Sequence, residues 1–156
     1  MVANTGARAA EISELRTEAE VLELGFFSMQ GLQEMEIVQL AEEDRREFLE
    51  DLGLKEPAKN RFLKQIYASL NLISFLTVNE NEVRAWSVPR GSTALEAAGK
   101  VHSDMEKGFI RAETIHWQDL LDADGFAPAR KSGKLRLEGK SYQVQDGDVL
   151  LIRFNI

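Results

Sequence analysis

The chain has 156 residues, 44% hydrophobic and 29% charged, enough for one domain of ordinary size, or one domain with an appendage, and a real core. No apolar run approaches the ~18 residues of a membrane span, and the lack of cysteine excludes disulfides, thiolate zinc sites and thiol nucleophiles. A net charge of −7 argues against tight non-specific binding to nucleic acid, yet it is uneven: residues 1–71 carry 8 basic and 14 acidic side chains, residues 72–156 carry 11 and 12.

The opening MVANTGARAAEISELR has no apolar signal-peptide stretch, so a cytoplasmic protein is expected. From Ala7 to Leu24, apolar residues at Ile12, Leu15, Ala19 and Leu22 have helical spacing, with Gly25 as the expected stop. FFSM then fits a short strand. EEDRREFLEDLGL reads as a helix carrying Phe48, Leu49 and Leu52, closed by Gly53. Pro57 suits a first helical turn, and Phe62, Ile66 and Leu70 form a stripe beside Leu63 and Tyr67.

Near residue 72 the pattern changes to short alternating runs divided by turn signals. LISFLTV and EVRAWSV are two strands joined by the turn composition NENE. GSTALEAAGKVH is a helix in which Thr93 and Glu96 have capping-box spacing. GFIRAETI is a third strand and WQDLLDA a short helix. KLRLEGKSYQV reads as a hairpin turning at Glu138-Gly139, and Asp146-Gly147 turns into a last strand. There Val149 and Leu151 face one side while Leu150, Ile152 and Phe154 face the other, the mark of a central strand. This order is that of an α+β, β-grasp (ubiquitin-like) fold over 72–156, preceded by a helical segment over 1–71.

Enzyme templates find no match. Neither the phosphate-cradling G-x-x-x-x-G-K-[ST] loop nor G-x-G-x-x-G occurs, and no G-x-S-x-G elbow offers a serine to His102 or His116. His102, Asp104 and Glu106 at alternate positions have too few nitrogen ligands for a usual zinc or iron site. No metal or other cofactor is therefore expected, and a loop histidine bonded to backbone explains His102. The basic residues say more. Arg84 and Trp86 project from one face of a strand, Lys107 and Arg111 flank Gly108 and Phe109, and Arg130, Lys131, Lys134, Arg136 and Lys140 crowd the late loop and hairpin. Two readings fit. Cations beside an exposed aromatic clamp phosphates and stack on unpaired bases; equally, Trp86 belongs to the core and the cations are ordinary surface.

VHSDMEKGFIRAETI, GKLRLEGKSYQVQDGDVLLIRFNI, EVRAW and EEDRREFLEDLGL together resemble the C-terminal part of the YchF/Obg-like ATPases, a branch of the Obg GTPases. Residues 72–156 resemble their TGS domain, a β-grasp module, and the likeness continues upstream through Leu40 to Leu70. VAN resembles the end of the strand bearing the family's Asn-x-x-Glu base-specificity motif: Asn4 matches its Asn, but Ala7 stands at the acidic position. Gln30, Gly31 and Leu32 replace a Ser-Ala-Lys segment, although Glu34 and Glu36 match the Glu-x-Glu after it. The P-loop, the switch segments and the helical insertion would lie before Met1.

The resemblance thus implies a remnant of a nucleotide-binding domain over 1–71, joined to a non-catalytic TGS module that contacts RNA or the ribosome. It implicates His102, Ser103 and Asp104, with Lys107, Gly108 and Arg111 nearby, and Met105 stands where the family often has Phe. The candidate RNA-binding set is His102, Asp104, Lys107, Arg111, Arg84, Trp86, Lys134 and Arg136, with Asn4 as a vestigial nucleotide contact. The alternatives are a protein-interaction module, including a homodimer through the N-terminal helices, and a vestigial nucleotide-binding protein.

Overall fold

The computed structural model describes residues 2–4, 9–79 and 81–155. The chain divides into two compact units, Met1–Leu70 and Asn71–Ile156. The architecture is mixed α/β, with eight helices among the described residues.

The first unit runs β1 (Val2–Asn4), α1 (Ala9–Val21), β2 (Phe27–Met29), α2 (Gly31–Gln39), α3 (Glu42–Asp51) and α4 (Ala58–Ser69). Strands β1 and β2 pair in parallel, Val2 opposite Phe27. The sequence places the end of α1 at Gly25, but the helix stops at Val21. Glu23 takes the left-handed conformation (φ 54°), and the Leu24 N–H donates back to the Ala19 carbonyl at 2.8 Å. Gly25 has a different job: a Cβ there would collide with the Ser69 hydroxyl on α4. The Phe27 and Phe62 rings meet at 5.3 Å, joining β2 to α4.

Helix α2 was not expected from the pattern. Its Glu34 reaches the start of α4, accepting from the Ala58 N–H (2.7 Å) and from Arg61 (2.8 Å). A carboxylate there satisfies an unpaired helix N–H and faces the positive end of the dipole. Leu22 and Leu70, placed on inward stripes by their spacing, are exposed.

The second unit contains β3 (Leu72–Val78), β4 (Val83–Pro89), α5 (Ala94–Val101), α6 (Ser103–Lys107), β5 (Phe109–His116), α7 (Trp117–Asp122), α8 (Phe126–Lys131), β6 (Arg136–Glu138) and β7 (Asp148–Phe154). They build a five-stranded sheet in the order β4-β3-β7-β5-β6. The last strand is central, as its two apolar sides require, parallel to β3 and antiparallel to β5. The expected hairpin at Glu138-Gly139 does not form: β6 pairs with β5, and residues 140–147 return as a loop carrying a single bridge, Thr93 to Gln143.

Alternation along the strands divides the core between the two faces of this sheet. Ile73, Phe75, Val88, Ala112 and Leu150 pack with Ala94, Ala97 and Ala98 of α5. On the opposite face Ile115 and Val149 pack with Ala129 of α8 and half-buried Leu120 of α7. Helix α5 starts with the full capping box: the Thr93 hydroxyl accepts from the Glu96 N–H, and the Glu96 carboxylate accepts from the Thr93 N–H at 2.7 Å. No helix among the described residues is long and apolar enough to cross a membrane.

Candidate functional site

A groove of about 470 Å³ opens where β3, β4 and β7 meet the ends of α5 and α6. Its floor includes Met105, Leu150 and Ile152, and its rim includes Arg84, Trp86 and His102. The volume lies within the range of pockets that hold small ligands or single nucleotides.

Each rim residue has a local reason for its position. Trp86 sits opposite Phe75 on the hairpin, so its ring shares the face covered by α5 and packs partly on that core. Its indole N–H donates to the Thr77 hydroxyl at 2.9 Å, which fixes the ring plane. Arg84, two residues earlier on the same strand face, lays its guanidinium 4.8 Å over the indole. Among the described residues no carboxylate lies within ion-pair distance of it. Trp86 is thus both core and rim, half-buried with one part still lining the groove.

His102 ends α5 and begins α6 (φ −162°, ψ 142°). Its Nδ1 accepts from the Asp104 N–H at 3.2 Å, with the Asp104 carboxylate 3.5 Å away. Accepting at Nδ1 places the proton of the neutral ring on Nε2, leaving a donor on an exposed side chain. His116 does the same for α7, accepting from the Gln118 N–H at 3.3 Å. Both histidines therefore cap helices, and His102 also borders the groove. Glu106, the third member of the alternating acidic trio, lies against Gly99 of α5. Among the described residues no group of three His, Asp or Glu side chains is arranged to hold a metal ion.

The remaining candidates separate. Lys107 is exposed at the end of α6, next to Gly108. Gly108 has φ −92°, so the left-handed region does not explain it. A Cβ there would strike the Asn155 carbonyl, because the chain end after β7 passes directly against it. Arg111 is exposed on β5 and directly opposite Arg153 of β7. Since Val149 belongs to the core under α7 and α8, Arg153 and Arg111 point to that face, opposite Trp86. Lys134 is tied to Asp119 at 2.8 Å, which lowers the aspartate pKa and raises that of the lysine. Arg136 donates to the Tyr142 hydroxyl at 3.0 Å and lies 3.6 Å from the buried Asp148. These two cations brace the second unit rather than join the groove. Asn4 closes β1; its side chain, like Ala7, lies outside the described residues.

Arg153, which lines the groove as well, was not among the residues selected from the sequence. The signal was present: the alternation that sets Val149 and Leu151 on one side continues to residue 153. Its basic character is masked by the apolar run around it.

Comparison with known proteins gives consistent relatives. Residues 72–155 match the family model YchF-GTPase_C, described as "Protein of unknown function (DUF933)". Over 123 residues, 79% of this chain, it is 51% identical to the "Ribosome-binding ATPase YchF" of Haemophilus influenzae and 50% identical to that of Bacillus subtilis. The chain spans about a third of the length of these curated relatives, 34%. A solved structure of the Schizosaccharomyces pombe YchF GTPase aligns with a TM-score of 0.74 at 27% identity, covering 97% of this chain and 42% of that one.

Proposed function

The chain belongs to the YchF family through the C-terminal domain at residues 72–155, and on that premise we propose that its second unit is a non-catalytic, β-grasp TGS module that binds RNA in a ribosomal context. Support for the β-grasp assignment comes from the sheet: the first and last strands of the unit, β3 and β7, are adjacent and parallel at its centre, and α5 packs across one face. Ribosome binding is what the relatives' names record of them, and it fits a cytoplasmic location. The first unit then corresponds to the end of a nucleotide-binding domain.

The observation that carries RNA binding is the stacked Arg84–Trp86 pair, beside the His102 donor, on the rim of a groove with an apolar floor. A guanidinium stacked on an indole offers an unpaired nucleotide a planar surface for its base and donors for its phosphate. Lys107 adds an exposed cation at the end of α6, the helix that His102 begins. The test is anisotropy of a labelled single-stranded RNA titrated with the full chain. Binding should weaken steadily with salt, and Arg84→Ala and Lys107→Ala should each lower affinity about fivefold at low salt. Absence of binding at low salt, or unchanged affinity in both variants, contradicts the proposal.

A protein-contact reading has one observation of its own. Leu32, Met35 and Val38 form an exposed apolar stripe on α2. A homodimer through it would show in size-exclusion chromatography with light scattering, and a stable dimer without RNA affinity would favour that reading. Nucleotide binding through Asn4 is testable by calorimetry with ATP, where no heat of binding is expected.

A further inference from the structure

A second depression opens beside the groove, lined by Ile110, Arg111, Ile152, Arg153 and Phe154. Ile152 and Arg153 line both, so both depressions border the end of β7. The electrostatics there are unbalanced. The carboxylate of Glu113, nearly buried on β5, holds Arg153 Nε at 3.3 Å on one oxygen and Arg130 of α8 on the other. Arg111 stands directly across the ladder from Arg153. Like charges directly opposite in antiparallel strands destabilise a sheet, and among the described residues Arg111 has no carboxylate within ion-pair distance. Two guanidinium groups thus share one carboxylate and the third, Arg111, stands beside them, in a chain whose net charge is −7.

Resting on the RNA-binding reading, we infer that Arg84, Arg153 and Arg111 form a phosphate track for single-stranded RNA, with Arg153 carrying the strand from the groove around the end of β7 to Arg111. From β4 to β5 the sheet spans three interstrand gaps, roughly 14 Å, too far for one phosphate and suited to several along a strand. An anion over Arg111 and Arg153 offsets the repulsion between them. Glu113 competes with that anion: in the free chain it restrains Arg153, and the bound phosphate shares the cation.

The test uses the full chain and a labelled 12-nucleotide oligouridylate, with affinity measured across a salt series. Each single-strand phosphate contact contributes about 0.7 to the slope of log affinity against log salt. Arg153→Ala and Arg111→Ala should each reduce the slope by about that amount and weaken binding roughly fivefold at low salt. Lys131→Ala, off the track, should change neither. Glu113→Gln separates contact from scaffolding, because it breaks the same ion pair while keeping the Arg153 cation. A phosphate role predicts tighter binding for Glu113→Gln, and a purely structural role predicts weaker binding for both variants. If Arg84→Ala weakens binding while the slopes of the Arg153 and Arg111 variants match the parent, the track is wrong and the groove reading stands. If no RNA binds at low salt, both fall. If polyglutamate displaces the RNA as well as unlabelled oligouridylate does, the surface serves acidic protein and the track is overturned.

Discussion

Asp148 is almost fully buried at the start of β7, where two hydrogen-bond donors and one cation meet its carboxylate. The Tyr142 hydroxyl donates at 2.7 Å, the Gln145 N–H at 2.9 Å, and Arg136 approaches to 3.6 Å. Burial first, then the bond to Asp148, pushes the Tyr142 phenol up to about 12. Its contribution is therefore fully present below the ordinary phenol value of 10.0 and lost as pH rises through about 12. Tyr142→Phe should cost about 1–3 kcal/mol in urea unfolding at neutral pH, by removing one donor from a buried carboxylate. Glu113 works at the acid end. Burial raises its pKa, the largest single effect, but the bonds and charges of Arg130 and Arg153 together outweigh it and hold the carboxyl below 4.5. A depressed carboxyl stabilises the fold above its unfolded value and loses that contribution as pH falls through the folded one. Thermal unfolding from pH 6 to 3 should therefore fall less steeply in Glu113→Gln than in the parent chain; equal slopes would contradict this assignment. Residue types alone could not foresee these roles. Arg136 and Lys134 entered the candidate set for their charge, and only the fold reveals that Asp148, Tyr142 and Asp119 occupy them.

Elements governed by local chemistry were legible in the sequence. The Thr93/Glu96 spacing marks the start of α5, and the two-sided apolar pattern of 148–154 marks a central strand. Thr93→Ala should cost about 1 kcal/mol, read as a lower denaturation midpoint at unchanged m-value. Elements set by tertiary contact were not legible. Helix α6 is five residues long and α8 six, and neither spans the two turns over which an amphipathic stripe repeats. Helix α8 is fixed by Ala129, which is buried under the sheet. Helix α2 has a single buried side chain, Ile37, so its pattern carried little signal. The failed hairpin has the same origin: β6 finds its partner in β5, where Thr114 faces Arg136 and Ala112 faces Glu138, and leaves 140–147 to return as a loop. Gly108 is explained by close approach, which only the fold reveals. Gly108→Ala should force the α6–β5 junction away from Asn155, at roughly 1–3 kcal/mol, and should also disturb the placement of His102 and Lys107.

At the scale of the whole molecule, the charge division follows the two units. Most of the acidic excess lies in residues 1–71, and the near-neutral second unit carries the groove and the arginines around it. A chain with net charge −7 can therefore still present a positive surface locally. The sequence indicated that half of the account, since Arg84, Trp86 and His102 were all selected and all border one groove. It could not indicate that Arg111 falls on the opposite face, or that Arg153 lies between, because both follow from the register of β5 on β7. The most direct test is the salt dependence of single-stranded RNA binding by the full chain, compared with Arg84→Ala. The account predicts measurable affinity at low salt, a linear fall of log affinity with log salt, and about fivefold weaker binding in the variant. No detectable binding at low salt, or identical curves for the two proteins, would contradict it.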